Sequence, residues 1–218
     1  MKYDIKLLKS IRTPKDTFLS LHKAEQIRNL PSQIIILLIF PLGIAMISSW
    51  FGIGTESISG DIVNIPIEQF EEKKWWFAFG HWISSILYSA IILYLGSIWF
   101  WTLSEIPFQK LLVTQCFVLS IILIEKTVNL LLHIYLSIPW YSSPFSLGVI
   151  SQIKTNKSFW ISFFGSITVF KIWTIYLQYN ALKQMSELSR WKILLVILFI
   201  NVLGSLFISL GNLIQRAL

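Results

Sequence analysis

Residues 111–136 read LLVTQCFVLSIILIEKTVNLLLHIYL, and the way this stretch crosses its solvent decides the fold. Glu125-Lys126 divides it into two apolar halves. Each half is about 14 residues or fewer, whereas a membrane helix needs about 20. Joined to the residues before it, the stretch makes one helix over Phe108–Leu136 with a charged middle, closed by Pro139. A re-entrant or broken helix at Glu125-Lys126 is the alternative.

Outward from that segment, four further apolar runs cover 32–53, 75–101, 158–181 and 191–214. The spacing predicts an all-α, polytopic bundle of five transmembrane helices over 32–218, preceded by a 1–31 segment outside the bilayer. Pro41 is a kink candidate in the first span. The second, at about 1.5 Å per residue, reaches roughly 40 Å and must tilt or protrude. Composition agrees: 55% of residues are hydrophobic, 13% are charged, and the mean hydropathy is +0.66. A water-soluble domain of this size could not bury so much apolar surface. The first 31 residues contain no apolar core of a cleavable signal, so the first span is expected to be retained.

The net charge of +7 maps onto topology instead of nucleic acid. Lys2, Lys6, Lys9, Arg12, Lys15, Lys23 and Arg28 precede the first span, and Lys110, Lys183 and Arg190 fall on the same side. The first loop on the other side is acidic, with Glu56, Asp61, Glu68, Glu71 and Glu72. An excess of lysine and arginine inside places the N-terminus in the cytoplasm and the C-terminus outside. Tryptophans form two belts, with Trp50, Trp75, Trp76, Trp140 and Trp160 at outer ends and Trp99, Trp101 and Trp191 at inner ends.

Thr13-Pro14-Lys15-Asp16 is a helix start, with a capping residue, proline in the first turn and an acid near the N-terminus. The helix it opens sets Phe18, Leu19 and Leu21 among basic residues, the pattern of an amphipathic helix at the membrane interface. Packing onto the cytoplasmic face of the bundle is the alternative.

Ionisable residues within spans are expensive and need a reason. Glu125, Asn129 and His133 recur every four residues as one polar stripe on the third span. The fourth answers with Thr168, Lys171, Thr174 and Gln178. Glu125 and Lys171 fall at similar depth on sequential helices, so an intramembrane ion pair is expected. Lys126 points about 100° away from Glu125 and either snorkels or marks a break. A mutually neutralising pair makes a poor relay, so hydrogen-bonded glue between helices is the preferred reading over an ion path.

No catalytic constellation is legible. There is no G-x-S-x-G, no phosphate-binding glycine loop and no H-E-x-x-H, so no enzyme, cofactor or metal is expected. A metal held by His81, His133 and Glu125 would require the rings to converge. Gly80-x-x-x-Ser84 and Ser205-x-x-x-Ser209 are small-residue pairs that permit close helix approach. Cys116 reads as a small buried hydrophobe.

The order of features supplies a further expectation. A short helix with Pro14 and Phe18 precedes the first span; Pro144-Phe145-Ser146-Leu147 follows the third; Phe159-Trp160 opens the fourth, which carries Val169-Phe170-Lys171-Ile172-Trp173. This arrangement resembles the bacterial branch of the Yip (Ypt-interacting-protein) domain family of integral membrane proteins. The resemblance implies five spans, a cytoplasmic N-terminus and an accessory role, in some members beside ABC-type exporters. The Asp-Leu-Tyr-Gly-Pro signature of the GTPase-associated eukaryotic branch is absent, and Thr168-Val169 and Lys171 depart from the fourth-span motif. The isoleucine- and lysine-rich composition fits a low-GC bacterium and its plasma membrane.

The function expected is therefore a non-enzymatic accessory or scaffold protein in the lipid bilayer. Its partner would be another membrane complex, such as exporter subunits or a stress-protection system, with no nucleic acid; self-association is compatible. The alternative is a small transporter or channel using Glu125, Asn129 and His133 with Lys171. A solvent path to Glu125 favours the second, and a dry contact with Lys171 weakens it.

Overall fold

The computed structural model describes residues 2–7, 11, 13–53 and 66–217, with side chains described to 213. Two short parallel strands, β1 (Lys2–Asp4) and β2 (Gln26–Arg28), flank helix α1 (Pro14–His22). The helices α2 (Leu30–Trp50), α3 (Ile67–Leu103) and α4 (Phe108–Leu136) follow. A 3-10 turn (Trp140–Ser142) and the short helices α5 (Gly148–Lys154) and α6 (Ser158–Gly165) form a cap. The chain then runs through α7 (Val169–Met185) and α8 (Arg190–Ala217).

Four helices, Leu30–Trp50, Ile67–Leu103, Phe108–Leu136 and Arg190–Leu213, are long and apolar enough to cross a membrane. The third is one continuous helix through Glu125-Lys126, with the bounds expected from sequence. The first stops at Trp50 because Gly52 adopts φ 69°, which lets Ile53 N–H donate to the Ser48 carbonyl and Gly52 N–H to Ser49. The second begins eight residues earlier than hydropathy indicated. Its 37 residues include a charged first stretch in which Lys74 lies 3.7 Å from Glu71, and glutamate and lysine are good helix formers outside lipid. Glu56 and Asp61 of the acidic loop lie outside the described residues.

The fourth span departs from expectation. In place of one helix over 158–181 there are two, α6 and α7, separated at Ser166-Ile167-Thr168. Exposed backbone is costly in lipid, and here it finds partners. Leu147 N–H donates to the Ile167 carbonyl and Val169 N–H to the Phe145 carbonyl, both at 3.0 Å, forming an antiparallel bridge between Ser146 and Thr168. The Pro144–Leu147 loop is thus a short strand-like splint for the break. Gly148 and Gly165 let it dock, since each lies against the Tyr141 backbone with no room for a side chain at Gly148.

Packing is uneven along the bundle. Toward the N-terminal pole, Phe18, Leu21, Phe100, Leu111, Phe117, Ile121, Leu177 and Ala181 belong to one fully buried core. A second core groups Leu37, Leu93, Leu112, Cys116, Leu119 and Leu123. Beyond Leu123, α4 buries only Leu130. The small-residue pairs divide likewise: Ser205 and Ser209 are buried, whereas Gly80 and Ser84 are exposed.

Helix α1 turns Phe18 and Leu21 into the bundle, the packing alternative to an interfacial helix. Phe18 and Leu21 are fully buried, and α1 packs on α7 with Phe18 edge-on to Phe117 at 5.9 Å. Pro14 is half-buried, and Leu19, about 100° around the helix, remains exposed. With its two best anchors inside protein, the helix keeps little apolar surface for lipid.

Candidate functional site: an intramembrane charge cluster

Helix α4 lies between α3 and α7, and the adjacent Glu125 and Lys126 use the 100° step between them to face one neighbour each. Glu125 turns to the break in the fourth span. Its carboxylate faces the Thr168 hydroxyl and feels the charges of Lys171 and Lys126. Lys126 turns to α3, where its Nζ lies 4.2 Å from the centre of the Tyr88 ring. Its charge also reaches His81, two turns from Tyr88 along α3. It neither snorkels nor breaks the helix.

The geometry of Thr168 explains how Lys171 arrives there. Thr168 is the N-cap of α7, and its Oγ1 accepts from the Lys171 N–H at 3.0 Å. Lys171 is therefore held in the first turn of a half-helix whose amino end opens at the break. Measured from the helix ends at the N-terminal pole, at about 1.5 Å per residue, Tyr88 stands about 22 Å up, Lys171 about 21 Å and Lys126 about 27 Å. Counted along their helices, the three residues therefore stand within about 6 Å of one another in height.

Glu125 and Lys171 are thus neighbours, as the sequence indicated. Among the described residues, however, neither lysine closes within 4.0 Å of the carboxylate. Glu125, Lys126 and Lys171 are all half-buried. Asn129 and His133 continue the stripe along α4, also half-buried, and their side chains make no hydrogen bond among the described residues. Of the polar residues expected on the fourth span, Thr174 returns its hydroxyl to the Lys171 carbonyl. Gln178 accepts from Asn201 Nδ2 at 2.9 Å, tying α7 to α8. No group of three histidine, cysteine or acidic side chains suited to a metal occurs among the described residues.

Sequence reasoning missed Tyr88 and the break. Tyr88 looks like one more aromatic on an apolar helix, and only the seven-residue spacing from His81 hints at a shared face. The break was signalled by Gly165-Ser166 followed by a threonine cap, the stop and start of two helices.

Four of the helices are long and apolar enough to cross a membrane, and Glu125, Lys126 and Lys171 lie near one another within the bundle they help form. Comparison with protein-family models, with curated proteins and with solved structures returns no match. The Yip-domain likeness rests on the short motifs quoted above.

Proposed function

We propose that this chain conducts or carries a small solute across the membrane, with the Glu125–Lys126–Lys171 cluster as its binding level. The carrying observation is that Glu125 faces Thr168 at a discontinuous helix, half-buried and with no lysine within 4.0 Å, while the charges of Lys171 and Lys126 still reach it. Broken helices at membrane depth are tolerated where they are buried in protein or line a polar cavity. On this reading α6 and α7 together make the fifth crossing, the N-terminus is cytoplasmic, and α4 is loosely packed on the outer side of the cluster. The dense core around Phe18, Phe117 and Leu177 closes the inner side.

Reconstitution of the purified full chain into liposomes tests this directly. Tracer uptake or current above empty vesicles is expected, with Glu125→Gln changing the rate at least about tenfold per folded molecule reconstituted. An accessory role beside an exporter draws on the sequence resemblance alone and predicts the opposite. Inert vesicles, together with stoichiometric exporter subunits in a mild-detergent purification, would replace the transport reading.

A further inference from the structure

The segment that joins α4 to α6 is built inside out. Over 143–154 the buried residues are Ser143, Ser146, Gly148 and Ser151. The exposed ones include Phe145, Leu147, Val149, Ile150 and Ile153, the last at 83%. A segment bathed in water does the reverse, turning its large aliphatic side chains in and its serines out. The inward polar groups find partners within the segment itself. Ser146 Oγ donates to the Ser143 carbonyl at 2.9 Å, Ser151 Oγ to the Gly148 carbonyl at 2.7 Å, and Gln152 Nε2 to Ser142 Oγ at 2.7 Å. Such internal pairing is what a segment needs where no water can take its hydrogen bonds.

Its place along the bundle agrees. Counted from the N-terminal pole, α4 runs for 29 residues, about 43 Å, and α7 for 17, about 25 Å, up to the break. The hydrocarbon core is about 30 Å thick, so a helix as short as α7 that starts at one surface ends inside it. The bonds from Leu147 N–H to Ile167 and from Val169 N–H to Phe145 hold the Pro144–Leu147 loop at that level, about 18 Å short of the far end of α4. The chain thus leaves α4, turns back toward the break and moves away again along α5. Gly148 lies against Gly165, so α5 and α6 meet at the break and the connection between them forms a tip. Lys154 and Lys157 are exposed at that tip, and the sequence has no acid between Lys126 and Ser186.

We propose that residues 143–157 form a re-entrant hairpin set in the leaflet far from the N-terminal pole. Phospholipid acyl chains cover its apolar side, and Lys154 and Lys157 stand among the headgroup phosphates. The inference goes beyond the transport reading and does not depend on it. It makes the splint of the helix break a lipid contact: Phe145 is exposed on one side and meets the Phe170 ring of α7, 5.8 Å away, on the other.

The test places single spin labels on the full chain in a Cys116→Ala background, at Ile150→Cys, at Lys157→Cys and, as a water reference, at Lys15→Cys. Each is reconstituted into phosphatidylcholine–phosphatidylglycerol vesicles, and collisions with oxygen and with a water-soluble nickel chelate are compared. The oxygen-to-nickel ratio at position 150 is expected to exceed that at 15 by at least about tenfold, with 157 between them. Val149→Cys, exposed on the same helix, replaces Ile150→Cys should that variant fail to fold. Nickel reaching position 150 as readily as position 15 would make the segment an aqueous loop and overturn the inference. Dipolar broadening at 150 that vanishes on dilution with unlabelled protein would show a second copy on this face, and would overturn the lipid assignment as well.

Discussion

Gly148→Ala tests whether the splinted break is what positions the cluster. A β-carbon there would stand 1.8 Å from the Tyr141 carbonyl oxygen, 2.9 Å from its carbonyl carbon and 3.0 Å from the Gly165 α-carbon. All three are backbone atoms, so no rotamer relieves the clash, and regaining ordinary contact moves the loop by about 1.5 Å. The bonds from Leu147 N–H to Ile167 and from Val169 N–H to Phe145, both 3.0 Å long, cannot survive that shift. Two orphaned backbone pairs at about 1–3 kcal/mol each give a loss of about 2–6 kcal/mol. Gly165→Ala, whose nearest neighbours stand at 3.2 Å, should lose about 1 kcal/mol, and Gly204→Ala, with nothing within 4 Å, should be neutral or gain slightly. Titration with SDS in mixed micelles, followed by tryptophan fluorescence, measures the series. If Gly148→Ala unfolds within about 1 kcal/mol of Gly204→Ala, the loop does not dock as described and the site loses its scaffold.

The other expectations follow from single contacts. Phe18→Ala should cost about 3–4 kcal/mol and expose the first 25 or so residues to limited proteolysis, while Leu19→Ala should do neither; equal effects would return α1 to the lipid surface. Asn201→Leu should lower stability by about 0.5–2 kcal/mol, and the Gln178→Leu/Asn201→Leu double variant should cost less than the sum of the two singles. Ser137, held at φ 54° after α4, should accept glycine with a gain of about 0.5–1 kcal/mol, and a loss would indicate that its hydroxyl is used. Glu125→Gln should destabilise by about 2–4 kcal/mol because it strands two cations, and adding Lys171→Met should recover part of that in a double-mutant cycle; strict additivity would separate the two residues.

Much of this was legible because lipid imposes simple rules. A helix in hydrocarbon must be long and apolar, so α2, α4 and α8 could be placed to within a few residues from hydropathy alone, and α4 could be read through its charges. The same signal fails wherever a helix leaves lipid. The first eight residues of α3 are charged and helical, and hydropathy sees only the charge. It fails again for backbone that protein buries: Ser166 and Thr168 are too few to lower the hydropathy of a whole span, and the partner that satisfies the break, the loop at Ser146, lies outside the span altogether. The polar stripe could be read along α4 by its four-residue period. Its counterpart on α3 could not, because Tyr88 meets Lys126 through a helix pairing that no local pattern encodes. Helix α1 shows the limit of amphipathicity, which reports that a face is apolar and leaves open whether lipid or protein covers it.

The two polar contacts of α7 argue about function by contrast. Seven residues past Lys171, about 10 Å along the helix, Gln178 meets Asn201 in a neutral hydrogen bond between helices. That is an inexpensive way to join helices in lipid: two amides satisfy each other and no charge is left over. Glue would call for the same at Lys171. What stands there instead is one carboxylate that faces the Thr168 hydroxyl, with no lysine within 4.0 Å, half-buried beside a helix break that itself needs a splint. Neutralising charge in equal parts would support a dry structural role, as a lone Glu125–Lys171 pair would have done. Lys126 removes that balance. A bundle that already holds α7 and α8 together with uncharged amides does not need three ionisable groups near one another for helix packing alone.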